Sequence, residues 1–418
     1  MIEFLLVMAL AIGLGWPLGR YLAAVMRGAP MRRVDALFRW IETPIYRLLG
    51  VDPTRGMTWR GYAKAFLLSN VAVGALVWIL FMTQAWLPLN PDAVPNMRWD
   101  LALHTMVSFL TNTNQQHYSG QAQLSYLSQM VGIVGLQMMT PMMGLAIVVA
   151  TLRGLFGGRH AMEHAGVRPG AQGRSEENQD RDLGNYWADV VRATFRFMMP
   201  LCLLLSVLLV SQGVPSTLAA GPTVTPIDAS TQMKTQKIPL GPVAPMVAIK
   251  QLGTNGGGWY GPNSAVPLEN PTPFSNLLET LAIILIPIAV AFMVGPFTRR
   301  RKLTALVFGT MLAMSLASTG LAMWSEAHSP TTADAALMEG KEVRIGADAS
   351  ALWAAVTTQT SNGSVNAMHD SLAPLTGMVA ITDMLINAVW GGIGCGLQQF
   401  LVYLLLAVFL AGLMTGRT

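Results

Sequence analysis

The segment 243–258 reads VAPMVAIKQLGTNGGG, in which a short, mostly apolar stretch runs directly into six small or polar residues. Two further segments repeat this pattern: 99–110 precedes TNTN at 111–114, and 349–359 precedes TSNG at 360–363. Longer hydrophobic stretches flank all three. Non-helical backbone at membrane depth is tolerated only where protein buries it or where it lines a watery cavity. The recurrence therefore predicts a pore in which backbone carbonyls contact an ion.

The composition places the chain in a lipid bilayer. Of its 418 residues, 52% are hydrophobic and only 12% are charged, whereas a soluble domain carries about 25% charged residues. A helix needs about 20 apolar residues to cross the hydrocarbon core. Seven stretches can do so, at 2–26, 62–87, 123–152, 187–211, 272–297, 303–324 and 384–414. The first lacks a small-residue cleavage site, so no removable signal peptide is expected.

Basic residues in the connecting loops predict the orientation, because cytoplasmic loops of membrane proteins are enriched in Lys and Arg. The loops after the first, third and fifth spans are rich in arginine, and 299–302 contains only Arg and Lys. The alternate loops at 88–100 and 325–350 have fewer basic residues or an excess of acidic ones. We therefore expect the N-terminus outside and Arg417 in the cytoplasm. The same bias explains the net charge of +5 without a nucleic-acid partner.

In this orientation the three polar turns occupy equivalent places. Each lies between an outward-going and an inward-going span and follows a half-helix. This predicts three parallel span–half-helix–turn–span units at 62–152, 187–297 and 303–418, after an additional span and loop at 1–61. Parallel repeats pack round an axis along the membrane normal. A cation pore of this kind has four units, and we expect the fourth to be absent from these 418 residues.

The half-helices favour a cation over an anion. A helix that enters from outside directs its C-terminal end, with about half a negative charge, toward the pore centre. The turns need left-handed backbone, which glycine and asparagine adopt most readily, and Asn114, Gly256 and Gly363 align at their centres. Carbonyls with neighbouring Thr and Ser hydroxyls, without carboxylates, suit a monovalent cation, potassium above all.

Polar residues beside the turns have alternative roles. The Gln116 amide either faces ions or hydrogen-bonds the neighbouring repeat. Lys250 either binds carbonyls at the C-terminal end of its half-helix, which we favour, or acts as a positive plug. His369 and Asp370 are expected to tether the third turn. Glu279 is expected at the membrane interface rather than in catalysis.

The sequence offers little for other kinds of chemistry. Cys202 and Cys395 lie in or beside apolar spans and suggest packed small residues rather than a disulfide or a metal pair. The histidines have no ligand spacing, so no zinc or iron site is expected. The glycines at 391–396 predict a bend or a close helix contact rather than a dinucleotide site. GTNGGG lacks the Lys-Ser/Thr of a P-loop.

Longer motifs give a specific resemblance to a known family. They are TNTNQQHYSG (111–120), LGTNGGG (252–258), NSAVPLENPTP (263–273), MEGKEVRIG (338–346), TTQTSNGSVNAMHDS (357–371) and VFLAGLMTGRT (408–418). All resemble KdpA, the potassium-transporting A subunits of bacterial Kdp ATPases, and the resemblance covers essentially the whole sequence. It implies an all-α polytopic membrane protein of the potassium transporter superfamily, built from span–pore helix–span repeats.

The resemblance also implies a function. It is that of the potassium-binding and translocating subunit of an ATP-driven import complex in the bacterial inner membrane, with the P-type ATPase subunit KdpB and the subunits KdpC and KdpF as partners. Because no Asp-Lys-Thr-Gly or Walker sequence occurs here, the chain would not hydrolyse ATP itself. By the family's motifs, the implied potassium ligands are Thr111, Asn112, Thr113, Asn114, Gln116, Thr254, Asn255, Gly256, Thr360, Ser361, Asn362 and Gly363.

The chain also departs from the family. Gln115 stands where the family usually has an aromatic residue, and Asn362 where it often has cysteine. Because the family continues with a fourth unit, we expect the sequence to be a fragment or a truncated product that would not conduct alone. Two alternative hypotheses are an ATP-independent potassium transporter of the Trk/Ktr type and a truncated, non-conducting membrane scaffold.

Overall fold

The fold is taken from a computed structural model. It describes residues 2–28, 31–156, 182–227, 234–328 and 338–416. The predicted cytoplasmic placement of several basic residues falls outside these ranges, namely that of Arg159, Arg168, Arg174, Arg181 and Arg417.

The predicted all-α polytopic fold is confirmed. Within the described residues, seven helical stretches are long and apolar enough to cross a membrane. They are Ile2–Arg27, Trp59–Trp86, Ser128–Phe156, Tyr186–Ser211, Pro273–Thr298, Arg301–His328 and Cys395–Met414. π-helical turns interrupt the third and fourth of these stretches, at Ser128–Ile133 and Ala193–Met198.

We number the described α-helices in chain order. They are α1 (Ile2–Arg27), α2 (Arg32–Leu49), α3 (Trp59–Thr83), α4 (Trp99–Leu110), α5 (Gly120–Gln123), α6 (Val134–Phe156), α7 (Tyr186–Arg192), α8 (Met199–Ser211), α9 (Val243–Leu252), α10 (Pro273–Thr298), α11 (Arg301–His328), α12 (Ala347–Gln359), α13 (Pro374–Ile386) and α14 (Cys395–Met414). Two strands in the described part of the chain, β1 (Thr223–Val224) and β2 (Gln236–Lys237), pair antiparallel, with Thr223 opposite Lys237.

The three half-helices predicted before the polar turns are present as α4, α9 and α12. They differ in their surroundings. Helix α9 is buried along its whole length except at Pro245, since α6, α8 and α10 cover it. In α4 the buried side chains are confined to Ala102, Thr105, Ser108 and Phe109. The second half-helix therefore lies inside the described protein, whereas the first lies at its edge.

The long helix α10 forms the centre of the core, and α1 packs along it through small residues. A Cβ added at Gly15 would lie 2.7 Å from Ile288 Cγ2, and one added at Gly19 would lie 2.4 Å from the carbonyl oxygen of Ala289. Small residues allow membrane helices to approach this closely. The additional first span is thus part of the core.

The seventh predicted span, 384–414, is wrong at its N-terminal end. Helix α13 ends at Ile386, Asn387 is left-handed with φ 48°, and α14 begins only at Cys395. The glycines between them allow the break and a close contact, because a Cβ added at Gly394 would lie 2.4 Å from the carbonyl oxygen of Gly144. The bend expected at 391–396 is therefore confirmed, and hydropathy alone had concealed the interruption.

The two cysteines are free thiols with different surroundings. Cys202 is buried, as predicted, whereas Cys395 is exposed. The prediction of a packed small residue is therefore wrong for Cys395, because this residue opens α14 directly after the break.

Candidate functional site

The three half-helices end with the same backbone geometry. The second residue beyond each helix is left-handed: Asn112 has φ 60°, Thr254 φ 53° and Ser361 φ 53°. The N–H of the following residue then donates to the carbonyl five residues earlier, as in a Schellman motif. These bonds are Thr113 to Ser108 at 2.9 Å, Asn255 to Lys250 at 2.9 Å and Asn362 to Thr357 at 2.8 Å. Left-handed non-glycine residues persist only where their surroundings enforce them, and such residues cluster at functional sites.

A second left-handed residue follows in each turn. It is Asn114 in the first turn with φ 54°, Gly256 in the second with φ 87° and Gly363 in the third with φ 84°. These are the three residues that the sequence aligns at the turn centres. The three loops therefore share two left-handed positions separated by one residue.

The turn carbonyls fall into two groups. Among hydrogen bonds within the described residues, the carbonyls of 111–114, 253–255 and 360–363 accept none. The carbonyl just after the second left-handed residue is bound by a side chain in every turn. Ser108 Oγ donates to the Gln115 carbonyl at 2.9 Å, Gln137 Nε2 to that of Gly257 at 2.7 Å, and Thr357 Oγ1 to that of Ser364 at 2.9 Å. Each turn thus has oxygens available to a cation and a fixed point directly after them.

Gln116 joins the first turn to the second. Its Nε2 donates to the Gly258 carbonyl at 3.0 Å, and its Oε1 accepts from the Gly258 N–H at 3.0 Å. Of the two predicted roles, the hydrogen bond to the neighbouring repeat is the one that the structure contains.

Two contacts join the second turn to the third. Asn362 Nδ2 donates to the Lys250 carbonyl at 2.9 Å, and Ser364 Oγ donates to Gln251 Oε1 at 2.8 Å. A Cβ added at Gly256 would lie only 1.9 Å from the Asn362 carbonyl oxygen. The second turn is therefore bonded to both of the others.

Lys250 is a buried structural cation, and the positive-plug alternative is wrong. Its side chain and that of Glu269 are both 0% exposed and form an ion pair. Lys250 Nζ also donates to Asn263 Oδ1 at 2.5 Å and to Ser264 Oγ at 2.6 Å. Asn263 Nδ2 in turn donates to the Gly256 carbonyl at 2.7 Å. The favoured structural role is confirmed, although the partners are side-chain oxygens rather than helix carbonyls.

Glu279 does not lie at the membrane interface, and that prediction is wrong. It is 0% exposed, and its Oε2 accepts from Gln251 Nε2 at 2.8 Å and from Ser264 Oγ at 2.7 Å. The loop between α9 and α10 folds over this end of α10 and buries the carboxyl group. Hydropathy could not reveal a loop that returns onto its own helix.

The tether predicted at His369 and Asp370 is made by other residues. In the described part of the chain neither side chain forms a hydrogen bond, and burial lowers the pKa of His369 below its ordinary value. Instead, the Met368 N–H donates to the Gly340 carbonyl at 2.7 Å, and Lys341 Nζ donates to the Ser371 carbonyl at 3.2 Å.

The break between α13 and α14 also contacts the turns, which the sequence did not predict. The Ile393 N–H donates to Thr254 Oγ1 at 3.1 Å, and Ser361 Oγ donates to Asn387 Oδ1 at 2.6 Å. The glycine-rich composition of 391–396 was the available signal, because it indicates a close backbone approach.

Comparisons with known proteins agree on one family. Residues 5–418 match the family described as KdpA, potassium-transporting ATPase A subunit. Three relatives are each named potassium-transporting ATPase potassium-binding subunit. The one from Pseudomonas putida is 44% identical and is aligned over 96% of this chain and 68% of its own length. The one from Alicyclobacillus acidocaldarius is 43% identical over 99% and 70%, and that from Gloeobacter violaceus is 41% identical over 96% and 68%.

Proposed function

The chain belongs to the KdpA family of potassium-transporting ATPase A subunits, and we propose that it is the potassium-binding subunit of a complex that imports potassium with energy from ATP. The observation that carries the proposal is the threefold turn. Each half-helix ends in the same cap, two left-handed residues and a run of carbonyls that accept no hydrogen bond within the described residues.

We propose that potassium binds at these turns. In selective filters, carbonyl oxygens replace the hydration shell of the ion, and the C-terminal ends of the half-helices add partial negative charge. Of the ligands that the family resemblance implies, we propose Thr111, Asn112, Thr113, Asn114, Thr254, Asn255, Gly256, Thr360, Ser361, Asn362 and Gly363. The amide of Gln116 bonds Gly258, so we propose that Gln116 supports the second turn instead.

ATP hydrolysis is assigned to a partner. The relatives are named as subunits of a potassium-transporting ATPase, while this sequence has no Asp-Lys-Thr-Gly motif. We propose the P-type ATPase subunit KdpB as that partner, with KdpC and KdpF as further subunits. The family assignment favours this function over an ATP-independent transporter of the Trk/Ktr type.

The protein is a multi-pass membrane protein, and we propose the bacterial inner membrane with the N-terminus outside. Supporting this orientation, four adjacent basic residues at 299–302, in the connection after α10 and at the start of α11, are exposed, and such residues are enriched on the cytoplasmic side. The units 62–152, 187–297 and 303–418 then each contribute one turn to the filter in the same orientation.

The variant Gly256→Asp tests the proposal in the purified potassium-transporting ATPase complex. It places a carboxylate where even a Cβ would lie 1.9 Å from the Asn362 carbonyl oxygen. We expect the KM for potassium in the ATPase assay to rise at least about tenfold, a loss of about 1.4 kcal/mol, and the discrimination against rubidium to weaken.

The matched control is Ala220→Asp, which adds the same charge at an exposed residue outside the turns and should leave both quantities unchanged. Unaltered potassium affinity and selectivity in Gly256→Asp would contradict the proposed site. Potassium-independent ATPase activity in the wild-type complex would favour the non-conducting scaffold instead.

A further inference from the structure

A buried carboxyl group lies behind the third turn and has no part in the proposed potassium ligands. Asp383 on α13 is 3% exposed. Its Oδ2 lies 2.5 Å from Ser318 Oγ on α11 and 3.3 Å from Thr358 Oγ1 on α12. One carboxyl group therefore joins three helices of the third unit.

From Ser318 the contacts continue to Gln359, the last residue of the half-helix α12. Gln359 Nε2 donates to Ser318 Oγ at 3.2 Å and to Thr319 Oγ1 at 2.8 Å, and Gln359 Oε1 accepts from Ser315 Oγ at 2.7 Å. Gln359 is 0% exposed. Because Gln359 directly precedes Thr360, the bonds that hold its side chain also hold the start of the third turn against α11.

A second route runs from the end of α13 to the same turn. The Asn387 N–H donates to the Asp383 carbonyl at 2.9 Å, and Asn387 Oδ1 accepts from Ser361 Oγ at 2.6 Å. The position of Asp383 is thus coupled to the third turn through both Gln359 and Asn387.

No cation neutralises this carboxyl group within the described residues. The other charged or titratable groups on α11 and α12 are Arg301, Lys302, Glu326, His328 and Asp348. None of them bonds to Asp383. Glu326 instead pairs with Lys341 at 3.4 Å. A buried carboxyl group without a cation partner takes up a proton rather than remain charged.

Both hydroxyl contacts reach the same carboxyl oxygen, Oδ2, and each hydroxyl can be the donor. Thr358 has one hydroxyl proton, and its shortest contact, at 2.9 Å, is with the Ala354 carbonyl. With its proton there, the Thr358 oxygen can accept a proton that Asp383 Oδ2 carries. Ser318 Oγ accepts from Gln359, so its own proton is free to be donated to Asp383. A protonated acid can donate and accept at once, whereas a carboxylate can only accept.

We propose that Asp383 is a positioning residue for the third turn, that it acts as a neutral acid through Ser318 and Gln359, and that it thereby sets potassium affinity. The inference rests on the proposed function, because it takes the third turn as part of the potassium site. Removing the acid leaves the proton of the Ser318 hydroxyl without its acceptor, which is more costly than exchanging the acid for another hydrogen-bonding group.

Two substitutions at Asp383 separate this role from alternatives, with potassium-stimulated ATPase activity of the purified complex as the readout. Asp383→Asn is neutral and still donates and accepts, so its KM for potassium should stay within about twofold of the wild type. Asp383→Leu keeps the branched shape, with larger methyl groups in place of the oxygens and no polar atom, so its KM should rise about tenfold with kcat nearly unchanged. Wild type and Asp383→Asn should share one dependence of KM on pH.

Thr382→Val is the matched control, because Thr382 is exposed on the same helix and its hydroxyl bonds only the Met378 carbonyl within the described residues. If Asp383→Leu does not assemble, Ser318→Ala cuts the link to Gln359 more gently and should raise the KM about threefold.

A wild-type KM in Asp383→Leu, or in Ser318→Ala where that variant stands in for it, would overturn the positioning role. A KM in Asp383→Asn as high as in Asp383→Leu would show that a charge is required and overturn the neutral acid. A wild-type complex without potassium dependence would instead overturn the proposed function, and this inference with it.

Discussion

The second and third turns have the same backbone conformation, but the second is enclosed at its central glycine and the third is open there. A Cβ added at Gly256 would lie 1.9 Å from the Asn362 carbonyl oxygen, whereas one added at Gly363 would have nothing within 4 Å. Both residues have a positive φ near 85°. Glycine is therefore required at 256 by space as well as by conformation, and at 363 by conformation alone. Gly256 and Gly363 are thus equivalent in position but are required by different constraints.

The turns also differ in the half-helix that precedes them, at the residue seven positions before the bound carbonyl. In the first and third turns, the hydroxyl of Ser108 or Thr357 binds the carbonyl seven residues ahead. The second turn has Lys250 at this position, and Gln137 from α6 binds the carbonyl instead. Lys250 is turned toward Glu269 and Asn263, so a buried charged cluster supports the second turn from behind. This supported turn is the one that is bonded to both of the others.

The largest effect is expected where that support is removed. Lys250→Met leaves Glu269 buried without its cation, which should lower the free energy of unfolding by about 3–5 kcal/mol. The measurement is thermal unfolding of the purified complex followed by tryptophan fluorescence. Lys302→Met, at an exposed position, is the control.

The double variant Lys250→Met/Glu269→Gln should regain part of the lost stability, since no uncompensated charge remains. Equal melting temperatures for Lys250→Met and Lys302→Met would show that the cluster does not support the second turn.

An intermediate effect is expected from alanine at the two glycines. Gly256→Ala and Gly363→Ala carry a similar conformational cost, and the first also forces a methyl group into the neighbouring turn. Such overpacking costs about 1–3 kcal/mol, so the KM for potassium should rise about tenfold more in Gly256→Ala than in Gly363→Ala. The assay is potassium-stimulated ATPase activity, and equal shifts in the two variants would break the comparison.

The smallest effect is expected from Gly363→Asn. The first turn already holds Asn114 at the equivalent position with φ 54°, and asparagine tolerates left-handed backbone. The KM for potassium should stay within about threefold of the wild type, as measured by potassium titration of the ATPase. Gly256→Asn serves as the contrasting variant and should impair the KM at least as much as Gly256→Ala. A severe loss in Gly363→Asn would mean that this side of the third turn is enclosed.

Much of the fold could be predicted because its signals are local. Hydropathy located seven membrane-length helices, and the short apolar stretches before TNTN, GTNGGG and TSNG located the half-helices. Hydropathy failed at 387–394, because apolar residues on both sides conceal a break. Part of the site was also predictable, since Asn114, Gly256 and Gly363 do share the left-handed conformation.

The sequence by itself determined that this chain crosses a membrane several times and bends three times in the same way, because burial in lipid and left-handed backbone depend on the residues at each place. Tertiary structure alone decided the partners of Lys250, Glu279 and Asp383. The partners of these three side chains come from segments that lie beside them only after folding. A charged residue in an apolar stretch has the same local sequence whether it faces an interface or a buried partner, and packing settles which.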